Sequence, residues 1–261
     1  MVCVGAFLLL VAAILLLTWL QGRHRQAAGV TEEPADWQRV AEATGGERLG
    51  RDEIVSRLPG VEEAGRYGSL QRAAMLMPMP IGEGVIGRIE DGPLVAASDL
   101  IRHSQSDKAE PFSTFVVLSV PGFAPRGRTL VRPEQKVLDK VIPNLASQTG
   151  DIDLESVEFN KLFHVSGDDE RAAWDLLTPP VMLAMLELEQ EWQAATRGVV
   201  PPLKPGRDPI GMPVLATMPG WIVLAGTRPG VLSPWSTGQV LRVWDLAGEL
   251  WPKLPRHVVQ A

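Results

Sequence analysis

Residues 159–179 read "FNKLFHVSGDDERAAWDLLTP". Phe163 and Val165 alternate with polar neighbours, the mark of a half-buried strand. Ser166 and Asp168 stand just ahead of a helix-favouring run with Asp169 and Glu170 in its first turn. There, side-chain caps satisfy free amides and negative charge complements the helix dipole. Leu176 and Leu177 lead into Thr178-Pro179-Pro180, a second start signal with proline tolerated in the first turn. From there Val181, Met185, Leu188, Trp192 and Ala195 step by four, three, four and three residues. That spacing predicts an apolar stripe on a helix of about four turns, closed by Gly198. The passage therefore predicts a strand feeding a capped helix, then a helix pair joined at "TPP".

The flanking sequence extends this pattern. Between 81 and 132 extended runs appear, "EGVIGRI", "GPLVAASDLIRHS", "FSTFVVLSV" and "GRTLVRP", separated by turn-forming Gly, Asp, Ser and Pro. "STFVVLSV" is too rich in β-branched residues for an exposed edge and is expected to be a central strand. Arg126 and Arg128 around Gly127 mark a turn. Upstream, Trp37, Val40 and Ala41 have helical spacing, with Asp36 as N-cap and Gly45-Gly46 as stop; "DEIVSRLPG" hints at a further helical turn. After Pro133, "EQKVLDKVIPNL" predicts a brief helix. Downstream, "PPLKPGRDP" reads as an exposed loop, followed by strands "MPVLATM" and "WIVLAG" about Pro219-Gly220. Val240, Val243, Trp244, Ala247, Leu250 and Trp251 then line one face of a closing amphipathic helix. The fold class is α+β: mainly antiparallel strands packed with a helix pair and a C-terminal helix.

A 261-residue chain with 45% hydrophobic and 21% charged residues can bury a sizeable core. Its net charge is −6, and residues 1–25 contribute two arginines and no acid. The remainder is thus more acidic still, which argues against nucleic acid as a partner. The one cysteine, Cys3, falls in the first apolar run, so residues 26–261 can form neither a disulfide nor a thiolate metal cage.

Residues 2–20, "VCVGAFLLLVAAILLLTWL", contain no charge. At about 1.5 Å per residue they reach the roughly 30 Å of a hydrocarbon core. Val2 to Leu20 is expected to be a transmembrane helix in contact with the lipid bilayer, with Trp19 at the interface and Arg23 and Arg25 as a basic stop. A cleaved signal peptide would want a basic leader, a shorter apolar run and a small-residue cleavage motif. With both arginines after the span, the positive-inside rule places the N-terminus outside and the following domain in the cytoplasm. The organisation expected is an anchor over 1–25, a linker over 26–35 and one α+β domain over 36–261.

"GEGVIG", Gly82 to Gly87, matches a dinucleotide fingerprint in letters, but that motif needs a strand before it and a helix after it. A glycine-rich turn is the expectation. The four histidines, 24, 103, 164 and 257, share no metal spacing. His164 beside Asp168 and Asp169 could form a small acid–base cluster, although helix capping accounts for both acids. "DIDLE" lacks the glycine and the bidentate glutamate of a calcium loop. Neither G-x-S-x-G nor a reactive cysteine occurs, so no catalytic set, cofactor or metal site is predicted. Trp174, Trp192, Trp244 and Trp251 fall on apolar faces, where core or interface packing is the default. Trp235, in the loop "VLSPWSTG", is the candidate for an exposed binding aromatic.

The order E-F-N-x-x-F-x-V…D-x-x-x-A…L-L-T-P…M is met by Glu158, Phe159, Asn160, Phe163, Val165, Asp169, Ala173, Leu177, Thr178, Pro179 and Met182. Together with the apolar N-terminal run, "DWQRVAEATG", "GPLVAASDL" and "VVLSVPGFAP", it resembles a bacterial family of membrane-anchored proteins with a domain of unknown function. The resemblance is specific from about 155 to 188. It implies membrane anchoring and an α+β cytoplasmic domain, and it carries no activity. The expected function is a single-pass membrane protein whose cytoplasmic domain is a binding or scaffolding module with a protein partner. The alternative is a membrane-tethered enzyme, a hydrolase with a site near His164, Asp168 and Asp169.

Overall fold

The computed structural model describes residues 34–68, 79–103, 109–133, 150–211, 214–225 and 234–255. The predicted span with Val2, Trp19, Leu20, Arg23 and Arg25, most of the linker and the helix expected over 134–143 lie outside those residues. Among the described residues, no helix is long and apolar enough to cross a membrane.

The described chain runs α1 (Trp37–Thr44), β1 (Glu47–Leu49), α2 (Arg51–Arg57), α3 (Val61–Gly68), β2 (Ile81–Arg88), β3 (Leu94–His103), β4 (Ala109–Ser119) and β5 (Thr129–Pro133). It continues with β6 (Gly150–Asp151), α4 (Val157–Leu162), β7 (Phe163–Gly167), α5 (Glu170–Leu176), α6 (Pro179–Thr196), β8 (Val214–Met218), β9 (Trp221–Ala225) and α7 (Thr237–Leu250). The strands form one sheet in the order β1-β2-β3-β4-β9-β8-β5-β7-β6, and every neighbouring pair is antiparallel. The expected α+β class is the observed one. The outermost strands are only three and two residues long, which limits the backbone left open to edge pairing.

Each face of the sheet buries its own core. One face holds Val95, Ala97, Val116, Leu118, Val131 and Val165 beneath α1, α4, α5, α6 and α7. The other holds Ile86, Ala96, Leu100, Phe115, Val117 and Val223 beneath α2 and α3. Strand β4 lies between β3 and β9, with Phe115, Val116 and Val117 fully sealed, so "STFVVLSV" is interior as expected. Its β-branched residues serve both cores because successive side chains point to opposite faces.

Local signals explain most helix ends. The Asp36 carboxylate accepts the N–H groups of Gln38 and Arg39 at 3.1 and 3.3 Å, and Gly45 ends α1 at φ 67°. Three expectations are corrected. Gly82 to Gly87 is neither a nucleotide loop nor a turn; it lies within β2, where a Cβ on Gly84 would run into the Ala97 carbonyl oxygen. The glycines there permit close backbone approach beside an irregular register. Helix α7 is buried on nearly all sides, because α1 and α6 flank it while it covers β4. Helices α3 and α4 were not expected. Gly65 lets α3 press against Phe115, since a Cβ there would meet the ring at 2.6 Å. With six residues, α4 is too short to display a period.

Candidate functional site

The stretch 159–179 is built as a folding unit. Ser156 caps α4 by accepting the Phe159 N–H at 3.2 Å. Asn160 clamps the preceding loop, donating to the Leu154 carbonyl at 2.7 Å and accepting its N–H at 3.3 Å. The Phe159 and Phe163 rings stack with centroids 4.4 Å apart, both buried. The Asp169 carboxylate accepts the Arg171 and Ala172 N–H groups at 2.8 and 3.2 Å, as N-cap of α5. A Cβ on Gly127 would lie 2.9 Å from that of Asp169, so glycine allows the β4–β5 connection to cross this cap. Asp168 is exposed and accepts the Arg128 N–H at 3.3 Å, while the Arg128 guanidinium lies 5.3 Å from the Tyr67 ring centroid.

His164 stands opposite Arg132 in the β5–β7 register, on the face away from Phe163 and Val165. Asp168 and Asp169 thus spend their described bonds on backbone amides. Asp151 pairs with Ser166 in the register between β6 and β7. Among the described residues, no group of three His, Cys, Asp or Glu side chains could hold a metal ion.

Trp235 is corrected from an exposed loop aromatic to a core residue, 6% exposed. The reason lies in its backbone: its N–H donates to Thr114 Oγ1 at 2.8 Å, drawing the start of α7 onto β4. Thr114 in turn donates its hydroxyl to Asp99 Oδ1. One residue beyond Ser236, Thr237 Oγ1 accepts the Asp36 N–H at 2.8 Å. The bonds run from Asp99 through Thr114 to the start of α7, and from the start of α7 to the start of α1.

Asp99 is the chemically unusual member. It is 3% exposed. Burial pushes its carboxyl up to about 7, opposed by the hydrogen bonds from Thr114 and Trp37 and reinforced by the negative charge of Glu83. It lies well outside the 159–179 stretch. The signal was nevertheless present in "VAASDL": Val95, Ala97 and Asp99 share the inward face of an interior strand, and a carboxylate there must be neutralised or hydrogen-bonded.

Charged pairs surround the rest of α7. Arg242, 6% exposed, donates to the Glu191 carboxylate at 2.8 and 2.9 Å and reaches Glu249 at 3.4 Å. Burial works against its charge, but the bond to Glu191 and the nearby carboxylates leave its proton held more tightly than usual. Arg207 pairs with Asp245 at 2.8 Å, and the Ser236 hydroxyl donates to Asp208 at 2.6 Å. The loop "PPLKPGRDP" is therefore tied down at its C-terminal end.

Of the described tryptophans, Trp37, Trp192, Trp221, Trp235 and Trp244 are buried, whereas Trp174 on α5 is 45% exposed. Leu183 on the next helix is 55% exposed.

Residues 115–198, from β4 to just past α6, match a family model described as "Protein of unknown function (DUF3137)". The match includes the whole 155–188 pattern. No curated protein and no solved structure matches the chain. What the comparisons support is a domain of unknown function.

Proposed function

We propose that the chain is a single-pass membrane protein whose folded domain works in the cytoplasm as a binding or scaffolding module, without catalytic residues of its own. The charge-free run over 2–20, followed by Arg23 and Arg25, supports the tether and its orientation. The observation that carries the binding role is the uncovered Trp174, with Leu183 on the adjoining helix. Tryptophan presents a large apolar area at small entropic cost, and contacts of this type dominate protein interfaces. Both residues lie in the segment that matches the family model.

The test uses the full chain with a biotin ligase fused after residue 261. The chain is expected in the membrane fraction, resistant to alkaline extraction and released when residues 2–20 are deleted. It is expected to label cytoplasmic proteins that the Trp174→Asp/Leu183→Asp double variant no longer labels. A chain that stays soluble contradicts the tether; identical labelling by the double variant contradicts the binding face.

A further inference from the structure

We infer that the binding face on α5 and α6 takes a basic partner: a lysine- and arginine-rich protein segment that also carries an apolar residue to cover Trp174 or Leu183. The inference rests on the binding role proposed above and adds the chemistry of the occupant. Charge along the chain is far from even. Residues 151–191 hold eleven acids against Lys161 and Arg171, a net of −9 where the whole chain has −6, so everything outside that stretch is net +3. The acidity of the protein thus belongs to the segment that forms α4, β7, α5 and α6. These three helices cover the same face of the sheet, and α4 and α5 both pack on β7.

Part of this charge is spent inside the fold. Asp169 caps α5, Asp168 accepts the Arg128 N–H, Glu191 holds Arg242, and Glu189 is buried. Asp153, Glu155, Glu158, Glu170, Asp175 and Glu187 are left over, and none of the six has an ion pair among the described residues. The other end of the sheet, at β1 and β2, differs. There Glu47, Glu62 and Glu83 are each neutralised by an arginine, Arg57, Arg51 and Arg48, at 2.5, 2.8 and 2.6 Å. On the helix pair the open carboxylates sit beside the open apolar groups. Glu170 precedes Trp174 by four residues on α5, and Glu187 follows Leu183 by four on α6, a spacing that makes neighbours on a helix surface. All four side chains are exposed. An ammonium or guanidinium over the Trp174 ring would therefore meet a carboxylate as well, while an apolar residue of the same segment covers Leu183. Occupants of like charge are disfavoured on the same ground: nucleic acid, an anionic lipid surface, and the same face of a second copy, which would set −9 against −9.

Two synthetic amphipathic peptides with one shared apolar pattern, one carrying lysines and the other glutamates at its polar positions, test this by fluorescence anisotropy on the full chain in neutral detergent. The lysine peptide is expected to bind, with a Kd that rises about tenfold between roughly 50 and 300 mM salt as the rim charges are screened. The glutamate peptide is expected not to bind. Glu170→Gln/Asp175→Asn/Glu187→Gln keeps the shape of each side chain and should weaken the lysine peptide by about fivefold or more. Glu42→Gln/Glu63→Gln/Glu90→Gln, the same change of net charge outside the stretch, should leave its Kd within about twofold. Absence of lysine-peptide binding, equal binding of the two peptides, or equal weakening by both triple variants would overturn the inference. The two readings fail separately in the labelling experiment. Labelling lost in Trp174→Asp/Leu183→Asp but kept in Glu170→Gln/Asp175→Asn/Glu187→Gln contradicts the basic partner alone, and labelling kept in both contradicts the binding face.

Discussion

Asp168 and Asp169 sit side by side in the passage that draws the eye, while Asp99 lies unremarked in the middle of an apolar strand. The first two have solvent or helix amides to satisfy them: Asp168 is exposed, and Asp169 caps α5 with two bonds. Asp99 is sealed on the inward face of its strand, where the Thr114 hydroxyl donates to it. The contrast teaches that clustered acids in a sequence mark where a helix begins, whereas one acid on an inward strand position marks where a fold is under chemical tension.

The largest expected effect lies on the α7 side of that contrast. Arg242→Leu leaves Glu191 without its buried partner and should cost about 3 kcal/mol in a denaturant titration. Next comes pH. For an acid whose folded value is raised, the folded state binds more protons, so stability is greatest at low pH and is lost as pH rises towards the folded value. The chain should therefore be less stable at pH 8 than at pH 5 by about 2 to 3 kcal/mol, with the slope confined below about pH 7. Thr114→Val removes the Asp99 donor and leaves the Trp235 N–H without an acceptor, for about 2 kcal/mol. On the capping side the effects shrink. Asp169→Ala should cost about 1 kcal/mol, restored in large part by Asp169→Asn or Asp169→Ser. Asp168→Ala, which loses one exposed bond, should cost about 0.5 kcal/mol. If the capping variants proved costlier than Thr114→Val, the contrast would be reversed.

Much of the architecture was legible because it rests on local rules. The alternation of Phe163 and Val165, the stripe from Val181 to Ala195 and the turn at Pro219-Gly220 each report a single element. Asp36 and Gly45 bound α1 as their chemistry demands. The misreadings share one physical cause, tertiary contact. Trp235 looked like a loop aromatic because the pull on its N–H comes from Thr114, 121 residues away in sequence. The glycines of β2 looked like a turn because the carbonyl of Ala97 that excludes a side chain belongs to another strand. Trp174 fell on an apolar pattern, yet the fold leaves it half open. Asp99 was readable in principle from its place in the alternation, but its meaning needed the register that sets it opposite Thr114.

The most direct measurement is the titration of the Asp99 side chain itself, followed by the carbon chemical shift of its carboxyl in isotopically labelled protein. A midpoint near pH 7 is the predicted result. A midpoint near pH 4 would show a carboxylate that ionises as freely as one in water, and burial on the inward face of β3 would not be what holds its proton.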